Sequence, residues 1–128
     1  MTYYFNKTVR GEFDAVVQKT TAALKNEGFG VLTEIDVKNT LKQKIGIDFR
    51  SYRILGACNP SLAHKALTAE DKIGTMLPCN VIVQELGGGD IEVAAIDPLA
   101  AMEKVGNREL IEIASEVAGK LQAAINSL

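Results

Sequence analysis

Five short segments of the chain are rich in β-branched and other apolar residues, which alternate with other side chains in some segments and run almost continuously in one, and such segments are typical of β-strands. It predicts strands over residues 3–10, 29–35, 52–58, 79–86 and 91–96. The segment 52–58 is almost continuously apolar, which indicates a strand in the middle of a sheet. Three consecutive glycines followed by Asp90 separate the last two strands, so these two strands form a hairpin.

Between the strands, apolar residues recur every three or four positions, which predicts helices. One helix starts at Glu12 and ends before Gly28, and a second is capped by Asp36 and closed by Gly46. Two further helices begin at the pairs Asn59-Pro60 and Asp97-Pro98, because Asn and Asp cap helices well and proline suits the first helical position. Asn107 caps the last helix, over residues 108–126.

The predicted order of strands and helices defines the fold class. We expect an α/β domain of the two-layer α+β type, with a mixed, largely antiparallel sheet of about five strands and helices packed on one face. No linker, low-complexity tract or long repeat divides the sequence. Residues 1–128 are therefore predicted to form a single domain.

Charge and composition restrict the classes of partner. The 128 residues carry 14 basic and 16 acidic side chains and only 5% aromatic residues, so we predict no nucleic-acid partner. No apolar run reaches the ~18 residues of a membrane helix, which predicts no membrane partner. The first ten residues do not resemble a secretory signal, and two cysteines are too few for a disulfide framework. We therefore expect a cytoplasmic protein.

Two Cys-Asn pairs, at residues 58–59 and 79–80, are the main candidates for a functional site. Cys58 ends one predicted strand and Cys79 begins the next, and each cysteine is followed by an asparagine. If these strands are antiparallel, both cysteines lie at one end of the sheet; if they are parallel, the cysteines lie at opposite ends. The only histidine lies one turn into the helix that begins at Pro60. The candidate ligand-binding residues are Cys58, Asn59, Pro60, His64, Cys79 and Asn80.

The same residues allow other interpretations. A helix N-terminus lowers the pKa of a nearby thiol, so Cys58 could act as a redox thiol with Cys79 as its resolving partner and His64 as its base. Free cysteine is also among the most buried residue types, so both thiols could belong to the core. A structural metal needs about four ligands at paired spacings, and we predict none.

A third interpretation is a non-catalytic interaction module that uses the last helix. Apolar residues repeat along this helix at spacings of three and four, and Ile111 and Ile113 widen the stripe they form. A wide stripe is typical of a helix packed on a sheet, and its edge could also contact a second chain. The sequence is therefore compatible with a homodimer. The repeating residues are Leu110, Ala114, Val117, Leu121, Ala124 and Leu128.

Two segments of the sequence resemble a known family. These are residues 54–60, followed by Leu62 and Ala66, and residues 77–81, followed by a hairpin and the Asp97-Pro98 pair. Together they resemble the bacterial and archaeal domain-of-unknown-function 302 family over essentially the whole chain. The resemblance implies a compact α/β domain with a TATA-binding-protein-like layout that forms homodimers. It implies no activity, cofactor or catalytic residue.

The function predicted from these observations is the binding or sensing of a small ligand by a cytoplasmic homodimer, at a pocket of Cys, Asn and His side chains. A thiol-dependent redox enzyme that uses Cys58 and Cys79, and a non-catalytic interaction module, are the alternatives. The cofactor is left open.

Overall fold

The computed structural model describes residues 2–128, and its elements follow the predicted order. The strands are β1 (Tyr4–Arg10), β2 (Gly30–Asp36), β3 (Tyr52–Cys58), β4 (Cys79–Gly87) and β5 (Asp90–Ile96). The helices are α1 (Phe13–Asn26), α2 (Val37–Ile45), α3 (Pro60–Ala69), α4 (Pro98–Met102) and α5 (Arg108–Asn126). Short 3₁₀ helices at Asp71–Met76 and Glu103–Val105 follow α3 and α4.

The predicted capping residues begin four of the five helices. Asp36, Asn59, Asp97 and Asn107 each accept a hydrogen bond from a backbone N–H of the first helical turn, at 3.0–3.3 Å. These bonds satisfy N–H groups that have no partner inside the helix. The starts of α2, α3, α4 and α5 are therefore determined by local sequence.

All five strands form one sheet in the order β1-β5-β4-β3-β2. Every neighbouring pair is antiparallel, so the sheet that the sequence predicted as largely antiparallel is antiparallel throughout. The two edge strands are β1 and β2. The α/β class, the five strands and the position of the helices on one face are confirmed.

Strand alternation assigns each side chain to one face of the sheet. Val81 and Val83 on β4, and Val93 and Ala95 on β5, are fully buried, while the residues between them are only half-buried. The buried face packs against α1 and α5, and it forms the main core of the protein. We call the opposite face, which α1 and α5 do not cover, the open face.

A second, smaller apolar cluster lies beside the main core. Its buried members are Ala66, Ile73, Met102, Leu110 and Ala114. The helix α5 belongs to both groups, since its first half contributes to the small cluster and its second half to the main core. The apolar stripe of α5 is therefore packed mainly inside the chain. No helix within residues 2–128 is long and apolar enough to cross a membrane.

Gly56 marks a close approach between three neighbouring segments. A Cβ atom at this position would overlap Thr33 Oγ1 and lie 2.8 Å from Cγ of Pro78. Thr33 is its cross-strand partner on β2, and Pro78 immediately precedes β4. Only glycine leaves room for both neighbours, because the proline ring is rigid.

We predict that Gly56→Ala lowers the free energy of unfolding by about 1–3 kcal/mol through this overlap. Gly30→Ala on β2 is the matched control, because no atom lies within 4 Å of a Cβ at that position. Thermal unfolding followed by circular dichroism measures both variants. An equal melting temperature for Gly56→Ala and the wild type would contradict the close approach.

Candidate functional site

The strands β3 and β4 pair antiparallel, which is the arrangement that brings Cys58 and Cys79 to one end of the sheet. Ala57 lies directly opposite Cys79, and Cys58 is the next residue along β3. Both cysteines therefore lie at the same end of the sheet. Both are free thiols, with Cys79 buried and Cys58 half-buried.

A partly open cavity of about 30 Å³ lies at this end of the sheet and brings three of the six candidate residues together. Cys58, Asn59 and Cys79 line it. Other parts of its wall come from the main core, such as Phe29, and from the small cluster, such as Met102. The cavity thus lies where the two apolar clusters meet.

Small side chains explain why the clusters leave a space. Four alanines line the cavity: Ala57 on β3, Ala63 and Ala66 on α3, and Ala114 on α5. The side chain of alanine is a single methyl group. The alanines of β3, α3 and α5 are therefore too short to fill the space between these elements. The wall is predominantly apolar, and the thiols and the Asn59 amide are its polar groups.

The other three candidate residues do not line this cavity. Pro60 and His64 are exposed on α3, because Leu62 and Ala66 of that helix are the residues that face the interior. Asn80 follows Cys79 on β4, so alternation places it on the open face, where it borders a groove. The structure therefore does not bring Pro60, His64 and Asn80 together with the cavity, and their part in ligand binding stays a prediction.

Asn59 connects the start of α3 to the end of α1. Its Oδ1 accepts the backbone N–H of Leu62 at 3.3 Å. Its Nδ2 lies above Gly28, where a Cβ atom would approach to 2.9 Å. Gly28 also has a φ of +89°, which favours glycine. The Asn59 side chain of the cavity wall is therefore hydrogen-bonded through Oδ1 and packed against Gly28 through Nδ2.

Burial controls the chemistry of Cys79. Its side chain is 7% exposed, and desolvation raises the pKa of its thiol to about 11, with the neighbouring Cys58 acting in the same direction. The thiol is consequently protonated at neutral pH, and a protonated thiol is a poor nucleophile. The thiol-redox alternative therefore has no activated thiol at Cys79, the position assigned to the resolving cysteine.

A larger cleft of about 530 Å³ lies at the opposite end of the sheet, beside Arg53. The Arg53 guanidinium donates to Glu34 at 2.8 Å and to Asp14 at 3.5 Å, and it lies 5.6 Å from the Phe13 ring centre. The hydrogen bond to Glu34 raises the pKa of Arg53 above its usual value. This guanidinium is engaged by carboxylates of its own chain. Within residues 2–128 no group of three or more His, Cys, Asp or Glu side chains is arranged to hold a metal ion.

Comparison with known proteins identifies the family. The family described as Domain of unknown function DUF302 matches residues 5–128. The chain belongs to the DUF302 family. A crystal structure of an uncharacterized conserved DUF302 protein from Bacillus stearothermophilus superimposes with a TM-score of 0.90 at 28% sequence identity, over 98% of each chain. No curated protein matches the sequence.

Most of the cavity wall of this DUF302 domain was not identified from sequence. Phe29, Pro98, Met102 and Val117 line the cavity from three separate parts of the chain, since Pro98 and Met102 both belong to α4. Each is an ordinary apolar residue in its local pattern. The one local indication was the Asp97-Pro98 pair, which repeats the Asn59-Pro60 capping motif at the same cavity.

The raised pKa of Cys79 predicts a pH dependence of stability. The folded state holds the Cys79 proton up to a pH of about 11, whereas the unfolded thiol loses it near 9.0. The buried, protonated thiol of Cys79 therefore makes its full contribution to the free energy of unfolding below pH 9. This contribution falls by roughly 2–3 kcal/mol as the pH rises towards 11.

Urea unfolding at several pH values measures this effect. We expect Cys79→Ala to lose less stability between pH 9 and 11 than the wild type, while the control Cys58→Ala retains most of the wild-type decrease. Parallel curves for Cys79→Ala and wild type would contradict the burial of a protonated thiol.

Proposed function

We propose that this DUF302 domain binds a small neutral ligand in the cavity lined by Cys58, Asn59 and Cys79. The observation that carries the proposal is the position of the cavity, which lies between two apolar clusters and contains two free thiols. An apolar space with a few convergent polar groups is the usual form of a ligand site.

The size of the cavity limits the ligand. About 30 Å³ is enough for one or two water-sized groups, whereas sites for drug-sized ligands usually span about 300–1,000 Å³. The ligand is accordingly a molecule of a few heavy atoms, or the apolar end of a larger molecule that displaces part of the wall. The small cluster is the part that such a molecule would displace.

The protonation state of Cys79 favours a neutral ligand. Because its pKa is about 11, this thiol presents a neutral S–H group to the cavity at physiological pH. The Asn59 amide is another polar group of the wall, and it is also uncharged. A charged ligand would lose its hydration here without gaining an opposite charge.

The proposed functional unit is a homodimer in the cytoplasm. The free thiols of Cys58 and Cys79 suit a reducing compartment. The cytoplasmic location and the dimer both stay predictions, and the cavity itself is formed within one chain.

Filling the cavity tests the proposal. We expect dichloromethane and propanethiol to cause saturable amide chemical-shift changes at Ala57, Ala63 and Cys79 in isotope-labelled protein. Ala63→Val adds two methyl groups to the wall and should weaken binding of both probes at least about tenfold, because the ligand and the new side chain compete for the same space.

Ala22→Val is the matched control, since Ala22 is an exposed residue of helix α1 and the substitution has the same helix propensity cost. This variant should bind the probes with wild-type affinity. Absence of saturable shifts at the cavity residues of the wild type, or unchanged affinity in Ala63→Val, would exclude the cavity as the ligand site.

A further inference from the structure

The open face of the sheet carries a continuous apolar row. The strand register places Ile35 of β2 opposite Ile54 of β3, Ile54 opposite Ile82 of β4, and Ile82 opposite Ala94 of β5. Directly paired residues point to the same face, so these four side chains form one line across four strands. Ile96 of β5, which also packs against the main core, borders the groove beside the row.

Within residues 2–128, none of these four side chains belongs to either apolar cluster of the interior. Ile54, Ile82 and Ala94 are only half-buried, and Ile35 at the end of the row is 47% exposed. On the helix-covered face, by contrast, the neighbouring residues Leu55 and Val81 are fully buried. Contiguous exposed apolar surface of this kind marks an interaction site in soluble proteins.

Four polar side chains on or beside the same face, those of Asn6, Arg50, Gln84 and Glu92, have partners within the chain. Asn6 Nδ2 donates to Glu92 at 2.9 Å, Gln84 Nε2 donates to Glu92 at 2.7 Å, and Arg50 Nε donates to Gln84 at 2.8 Å. These bonds form a ladder that crosses the sheet from β1 to the segment before β3. The ladder satisfies polar atoms that would otherwise oppose burial of the face.

Charges at the border of the face are balanced as well. Arg10 and Asp90 form an ion pair at 3.6 Å beside the hairpin. The face therefore presents no excess of one sign to attract a nucleic acid, a charged peptide or a charged lipid surface. A neutral, largely apolar partner is the complement of this surface.

Three tyrosines form the sides of a groove on the open face. Tyr3 and Tyr4 pack edge to face at 5.1 Å on one side, and Tyr52 lies on the other. Between them, the small side chain of Ala94 forms part of the floor of a groove of about 370 Å³. A bulky side chain from an opposing surface can enter this groove.

The dimensions of the face match the minimum for a stable interface. Five strands about 4.8 Å apart and seven residues rising about 3.4 Å each give a face of roughly 24 Å by 24 Å. Two such faces in contact would bury on the order of 1,100 Å², which exceeds the lower limit of about 1,000 Å² for specific interfaces.

From the isoleucine row, the internally paired polar ladder and this area, we propose that a second copy of the chain covers the open face, sheet against sheet. A second copy presents the same neutral, apolar surface, and a two-fold axis brings the two identical faces together. This inference rests on the homodimer proposed above, and it does not depend on ligand binding in the cavity.

Sedimentation equilibrium over a range of protein concentrations tests the interface. We expect the wild type to be a dimer and Ile35→Arg to raise the dissociation constant of the dimer at least about 100-fold, because each interface would contain two unpaired buried charges. Tyr4→Ala, which removes an exposed ring at the far edge of the face, should raise it about tenfold. Circular dichroism confirms that each variant is folded.

Ile45→Arg is the matched control, because Ile45 is 61% exposed on α2 and lies off the sheet. It should dimerise as the wild type does. A wild type that is monomeric at all concentrations would overturn both the homodimer and this interface, while the cavity titration remains interpretable. A dimer that is unaffected by Ile35→Arg, or is lost in Ile45→Arg alone, would overturn only the interface.

Discussion

The antiparallel register of β3 and β4 is the constraint on which both surfaces of the sheet depend. Because Ala57 lies opposite Cys79, both side chains belong to the helix-covered face and form part of one cavity. The same register places Ile54 opposite Ile82 on the open face. A shift of one residue would exchange the two sets, exposing the thiol of Cys79 and burying the isoleucines against α1 and α5.

The elements of this fold were largely predictable because their causes are local. Alternation and short apolar runs identified the five strands, and Asn59 and Asp97, each followed by proline, marked helix starts that the structure confirms. The glycine hairpin likewise fixed β4 and β5 as neighbours. The orientation of β3 relative to β4 was left open, since the helical connection between them fits either direction and only the assembled sheet decides it.

The candidate site was predicted only in part. Which residues line it depends on the direction in which each side chain points and on contacts between segments that are distant in sequence. Cys79 and Asn80 are adjacent in sequence and face opposite sides of the sheet. His64 lies on the right helix but on its exposed side. The cavity exists because alanines on different elements are too short to fill the space between them. A local sequence pattern cannot predict a space between segments that are distant in sequence.

The interior is divided into two apolar clusters, and separate clusters in a protein can open at different free energies. The small cluster is held by α3, α4, the 3₁₀ turn that contains Ile73 and the first half of α5, whereas the sheet and α1 belong to the main core. Opening of the small cluster would separate one wall of the cavity while the sheet stays paired. A molecule too large for 30 Å³ would then bind only the opened state, so its apparent affinity would be reduced by the fraction of protein that is open. The packing of the first half of α5, which also lines the cavity through Ala114, would thus set the fraction of open protein as well as contact the ligand.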